Sequence, residues 1–170
     1  MDSIIDRVKR AVTLKPGVYQ EIANDPKGTT QAVIVVIVAS LIGSIPSIFS
    51  NDFGGWLFSG ILAPIGLAIG AGIIYLISRL FKATGSYISL FRSLGFASAP
   101  QALSIIPVIG AIAGAVWSII LAIRAVKETQ AVSDGAAVAI VLIPAAIVAF
   151  LVFLLAVILS VALFSAASAG

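Results

Sequence analysis

Ser86-Tyr87-Ile88-Ser89-Leu90-Phe91-Arg92-Ser93-Leu94-Gly95-Phe96-Ala97-Ser98-Ala99-Pro100-Gln101-Ala102-Leu103-Ser104-Ile105-Ile106 is the stretch on which the reading of this chain turns. It sets Arg92, Gln101, five serines and, near its middle, Pro100 among apolar side chains. Hydropathy alone reads it as a surface loop, but its surroundings argue otherwise. Four other runs, 32–49, 56–78, 108–126 and 136–164, are apolar and approach or exceed the roughly 20 helical residues that cross a hydrocarbon core of about 30 Å. The ten basic residues are Arg7, Lys9, Arg10, Lys15, Lys27, Arg79, Lys82, Arg92, Arg124 and Lys127. All fall on one side of the membrane if 86–106 also crosses, with Arg92 counted on its nearer side. If the stretch does not cross, Arg124 and Lys127 land opposite the rest. Basic residues stay on the cytoplasmic side, so five crossings are expected, with the N-terminus in the cytoplasm of a cell-membrane protein and the C-terminus outside.

Composition supports lipid as the solvent. The chain has 170 residues, of which 61% are hydrophobic and only 10% charged, where a soluble domain carries about one quarter charged residues on its wetted surface. Mean hydropathy is +1.19 and the pI about 9.5. The net charge of +3 is not a nucleic-acid signal, because the basic residues sit at the ends of apolar runs. Uninterrupted apolar runs also argue against a membrane barrel, whose strands alternate apolar and polar residues. The expected fold is all-α, a polytopic helical bundle with short amphipathic N-terminal helices. The first long apolar run begins near Gln31, later than the apolar core of a secretory signal, so no such signal is expected.

The chain divides into a cytoplasmic or interfacial segment, 1–30, and a membrane domain, 31–170. In Asp2–Leu14, Ile4, Ile5, Val8, Ala11 and Val12 recur at helical spacing, with Arg7, Lys9 and Arg10 between them. Pro16–Ala23 comes next, with Pro16 suited to a first helical turn. These pieces lie along anionic headgroups, pack under the bundle, or both. Thr29 or Thr30 is expected to cap the first span, and Ser133 or Asp134 the last. The run 51–55, Asn-Asp-Phe-Gly-Gly, forms an outside turn, and Pro107 requires a tight turn between the third and fourth spans.

A resemblance enters at Leu90. The run Leu90-Phe91-Arg92-Ser93-Leu94-Gly95-Phe96-Ala97-Ser98-Ala99-Pro100-Gln101-Ala102-Leu103 resembles the Gly-aromatic…Pro…Leu motif of the Yip family, the Ypt/Rab-interacting membrane proteins. Arg79-Leu80-Phe81-Lys82-Ala83-Thr84-Gly85-Ser86 is similar to the turn entering that motif in prokaryotic members. Trp117 with Ala125-Val126-Lys127-Glu128-Thr129 resembles the segment on the C-terminal side of the motif, and Leu14 to Ala23 looks like the family's pre-membrane segment. The resemblance covers nearly the whole chain and implies five spans. The pattern departs from the family in two ways: the long cytosolic N-terminal region of eukaryotic members is not expected here, and Lys15-Pro16-Gly17-Val18-Tyr19 stands near the place of an Asp-Leu-Tyr-Gly-Pro type motif. Binding of a Rab-type GTPase is therefore not carried over to this chain.

Chemistry is sparse. Cysteine and histidine are absent, which removes thiolates, imidazole bases and the usual transition-metal ligands. The acids Asp2, Asp6, Glu21, Asp25, Asp52, Glu128 and Asp134 all lie outside the middles of the spans, so no carboxylate relay is expected at mid-depth. No enzyme activity, cofactor or metal is expected. Arg92, Pro100 and Gln101 are the polar intramembrane candidates. Arg92 snorkels, ties two helices or binds a substrate; Pro100 kinks its helix or hinges it beside a polar cavity. Gly66 with Gly70, and Gly110 with Gly114, are Gly-x-x-x-Gly pairs that allow close helix packing, within the monomer rather than in a dedicated dimer face. Pro46, Pro64 and Pro144 bend helices or mark the broken helices of a transporter. Arg7, Lys9 and Arg10 are the lipid-headgroup candidates. The function expected is a scaffold or adaptor in contact with lipid and with a membrane protein or a second copy. The alternatives are an accessory subunit of a larger, for example energy-transducing, complex, and a small carrier or pore around the polar third span.

Overall fold

The computed structural model describes residues 3–168; Asp2, which heads the expected amphipathic stretch, lies outside them. Four stretches are long and apolar enough to cross a membrane: Gly28–Phe49, Phe53–Leu80, Ile109–Gln130 and Asp134–Val161. Between 11% and 28% of the most apolar window in each is buried, so their outward faces need hydrocarbon rather than water.

The first stretch is broken. Helix α3 runs Gly28–Gly43 and a short α4 runs Ile45–Phe49, with Pro46 in the first turn of α4. The Ser44 hydroxyl donates back to Ser40 O at 2.8 Å and meets Ser59 Oγ at 2.7 Å, while Trp56 Nε1 donates to Leu41 O at 2.9 Å. Polar groups freed at the break thus find partners on α5, Phe53–Leu80. Asp52 caps α5 by accepting from Gly55 N at 2.8 Å.

The expected cap of the first span is corrected. Helix α3 starts earlier, at Gly28, and Asp25 organises the turn before it by accepting from Lys27 N at 2.8 Å. Thr29 lies inside the first turn, with its hydroxyl committed elsewhere. At the last helix, α8 (Asp134–Ser168), Ser133 Oγ accepts from Ala136 N at 3.3 Å.

The stretch 86–106 forms two pieces rather than one helix. After the N-cap Ser86, α6 runs Tyr87–Ala97, and a tighter 3-10 segment runs Ala99–Ile105. Pro100 sits in the first turn of that segment, where its missing N–H and fixed φ end the α-helical ladder. Most of α6 is buried, from Leu90 to Ala97 with Arg92 half-buried, and it is wrapped by its neighbours. Contacts with α3 climb in register. The Arg92 stem lies over Gly28, Gly95 over Ala32 and the Gln101 carbonyl over Gly43. Helix α7, Ile109–Gln130, returns in the opposite sense: Gly110 lies against Leu103 O, Gly114 against Pro100 O, and Gln130 Nε2 donates to Ser86 O at 3.3 Å. The tight turn after Pro107 is made by Val108 at φ 63°, a backbone region that β-branched residues rarely occupy.

Candidate functional site

Helix α6 is the hub, and Arg92 is its charged contact. Its Nε donates to Thr29 Oγ1 at 2.8 Å and its Nη1 to Ala23 O at 2.8 Å. Ala23 closes on the end of α2, Val18–Asn24, which has no basic residue in its last turn. A cation at that carbonyl end favours the helix dipole. Gly28 leaves room for the arginine stem, since a Cβ there would meet Arg92 Cδ at 3.0 Å. At the next residue of α6, Ser93 Oγ donates to Tyr19 O at 3.2 Å.

The N-terminal helices are locked to this hub. In α1, Ile4–Val12, Arg7 pairs with Asp25, donates to Gln31 Oε1 at 2.8 Å and lies 3.5 Å from Glu21, while Arg10 makes a two-point contact with Glu21 at 2.7 and 2.9 Å. Two of the three headgroup candidates, Arg7 and Arg10, therefore engage side chains of their own chain; Lys9 is exposed. Tyr19 is fully buried, and burial pushes its phenol well above the ordinary range, with the Glu128 charge adding to the effect. Trp117 Nε1 donates to Val12 O at 3.1 Å, fixing the far end of α1 to α7.

Glu128 joins α7 to α2. Oε1 accepts from Arg124 Nε at 2.7 Å and Oε2 accepts from Tyr19 N at 3.2 Å. Gly17, at the N-cap of α2, has no side chain with which to cap it, so a carboxylate from another helix satisfies a first-turn N–H. Replacing Glu128 by alanine removes that acceptor, and a lost cap costs about 1 kcal/mol. Faster amide exchange at 18–21, with α6 unchanged, is the expected result. Unchanged exchange at 18–21 would show that Glu128 does not hold α2.

Acid should release α1. The backbone N–H of Lys27 and the Arg7 guanidinium hold Asp25 below its usual range; Arg10 does the same for Glu21. Carboxyls with depressed folded values contribute stability that is complete above their unfolded value, about 4, and is lost as pH falls through the folded values. In a Trp56→Phe background, Trp117 emission should hold from neutral pH to about 5 and shift below about 4 as its contact with Val12 is lost. A constant spectrum down to about pH 3 would show that these pairs do not hold the helix.

At the other end of the hub, Pro100 is buried while the Gln101 side chain is exposed. Gly110 and Gly114 face the 3-10 backbone at distances that leave no room for a Cβ; Gly66 and Gly70 have no atom within 4 Å of the place a Cβ would occupy. The two glycine pairs, identical in spacing, thus occupy opposite environments. Sequence reasoning missed Gln130, which is fully buried and accepts from Ser78 Oγ at 3.3 Å. Its signal was polarity at the end of an apolar helix just before a turn. Among the described residues no cluster of three His, Cys, Asp or Glu side chains is placed to hold a metal.

A family model, the Yip1 domain, matches residues 11–167. No curated protein and no solved structure matches the chain.

Proposed function

Because the chain belongs to the Yip1 domain family, we propose that it acts as a non-enzymatic scaffold or adaptor of the cell membrane, through helix packing and protein contacts. The observation that carries this reading is a division of labour among side chains. The half-buried cations Arg7, Arg92 and Arg124 are engaged by groups of their own chain, whereas the Gly66–Gly70 face of α5 and residues 146–161 of α8 are left open. Such faces receive lipid or another helix. Mild-detergent extraction should yield a defined homo-oligomer or a complex of fixed stoichiometry that Gly66→Leu with Gly70→Leu weakens. A bare monomer, unaffected by those changes, would sink the proposal.

The proposed topology keeps five crossings, with the N-terminus in the cytoplasm and the C-terminus outside. Supporting it, the 11 residues of α6 rise about 16 Å as α-helix. The 7 residues of the 3-10 segment add about 14 Å, and together they approach the core thickness of about 30 Å. Native cysteine is absent, so single cysteines report cleanly. Positions 15 and 133 should label from the cytoplasmic face, and 52 and 168 from the other. Labelling of 15 and 168 from the same face would mean an even number of crossings.

A second reading is favoured by α8 alone. Leu151 to Leu159 is exposed on every side of the helix, as in an accessory subunit whose partner helix belongs to a larger complex. Co-purification of one distinct protein at fixed ratio would select that reading over a homo-oligomer.

A further inference from the structure

A cavity of about 740 Å³ opens between α5, α6, α7 and α8, within the roughly 300–1,000 Å³ usual for small-molecule sites. Its walls are hydrocarbon, with Ala71 of α5, Leu94 of α6, Ile119 of α7 and Ala145 of α8 among them. At its edge Ile73 is 43% and Val148 56% exposed, so it communicates sideways with the bilayer. Three polar side chains interrupt the lining: Ser98, Gln101 and Ser118. Ser98 already donates to Gly95 O at 2.7 Å. Of the other two, Ser118 Oγ is buried with almost no accessible surface and does not face a ligand, whereas the Gln101 carboxamide is exposed and makes no hydrogen bond among the described residues.

We propose that this cavity binds a neutral lipid, a molecule with an elongated hydrocarbon body and a hydroxyl or carbonyl group that hydrogen-bonds to Gln101. Hydrocarbon offers no partner to a carboxamide, so such a group in a membrane cavity calls for a ligand or a neighbouring helix. A carboxamide both donates and accepts, which matches either an alcohol or a carbonyl. No charged side chain lines the cavity, and Arg92 is held by Ala23 and Thr29. A phosphate headgroup, which seeks charge-assisted donors, is therefore not served. The lateral opening supplies the route of entry. Gly70 and Val148 line the cavity and also belong to the open faces of the scaffold reading; the test below leaves both unchanged and so separates the two.

The test uses three probes carrying the same diazirine: a long-chain fatty alcohol, the matching alkane and a phosphatidylcholine. Each is photolysed with the full-length protein in liposomes, and adducts are mapped by peptide. The alcohol should label cavity-lining peptides of α5 and α8 about tenfold over residues 150–159, a preference of the size one net hydrogen bond supplies. The alkane and the phospholipid should label both regions evenly. Gln101→Leu should reduce the alcohol to the alkane's pattern, and Ala145→Phe should abolish the preference by filling the space. Even labelling by the alcohol, or a preference that survives Gln101→Leu, overturns the proposal. Preferential labelling by the phospholipid does so too. If Ala145→Phe fails to assemble, Gln101→Leu decides alone.

Discussion

Leucine in place of Gly110 or Gly114 is expected to disassemble the bundle, and leucine in place of Gly66 or Gly70 to leave it folded. The four positions share one motif and differ only in what faces them. A Cβ at Gly110 would stand 1.9 Å from Leu103 O and 2.9 Å from Ile106 Cβ; one at Gly114 would stand 2.5 Å from Pro100 O. The opposing atoms are mainly backbone of the 3-10 segment, which is itself held by Pro100 and by Gly43 of α3. Flexible side-chain ends relieve a clash by rotating; a pinned carbonyl does not. Overpacking usually costs about 1–3 kcal/mol and occasionally more, and clashes with backbone belong at or above the top of that range. A marginal fold of about 5–15 kcal/mol loses much of its stability to such a change. At Gly66 and Gly70 nothing lies within 4 Å, and exchanging glycine for leucine in a helix gains about 0.5–1 kcal/mol of helix propensity. Unfolding by denaturing detergent, monitored by circular dichroism, separates the two outcomes. Equal stability of Gly110→Leu and the native chain would mean that α7 does not rest on the 3-10 segment as described.

That contrast also marks where the sequence stops being legible. The four long apolar helices are dictated by hydropathy, because a run of Ile, Val, Leu and Ala long enough to span is explained by little else. The break in 86–106 was announced by Pro100, but its form, a 3-10 segment lying against α3 and α7, depends on the glycines opposite. Periodicity says which residues share a helix face and nothing about what that face meets. The start of α3 went unread for a similar reason. Thr29 has the chemistry of a cap, yet Arg92, 63 residues along the chain, recruits its hydroxyl and leaves the turn to Asp25. The basic residues of α1 suit headgroup contact and packing under the bundle alike, and composition does not separate the two. Glu21 and Asp25 on the next helix and turn were the available signal that Arg7 and Arg10 would pair internally. Glu128 as the cap of α2, 109 residues from Tyr19, had no local signal at all.

Arg92 carries the second large effect. Arg92→Leu is expected to cost about 3 kcal/mol, the order of two hydrogen bonds from a charged donor at the low end of about 1.5–3 kcal/mol each, the low end because the side chain is only half-buried. The loss is concentrated at one corner. Ala23, only 4% exposed, is left with a buried carbonyl short of its partner, and α2 loses the cation at its C-terminal end. Arg92→Lys recovers part of the stability at most. A guanidinium reaches Ala23 O and Thr29 Oγ1 with separate N–H groups in a fixed fork, whereas an ammonium is one compact charge. Amide exchange across 23–29 should quicken in Arg92→Leu and, to a lesser degree, in Arg92→Lys, while the amides of α5 keep their native rates. The same residue tests the carrier alternative. Two groups of its own chain engage the side chain, whereas binding an anion would need it free. Liposomes containing the native protein should therefore pass no anion flux that Arg92→Ala removes. Flux that disappears with Arg92→Ala, while Thr29→Ala leaves it intact, would move Arg92 from brace to substrate site.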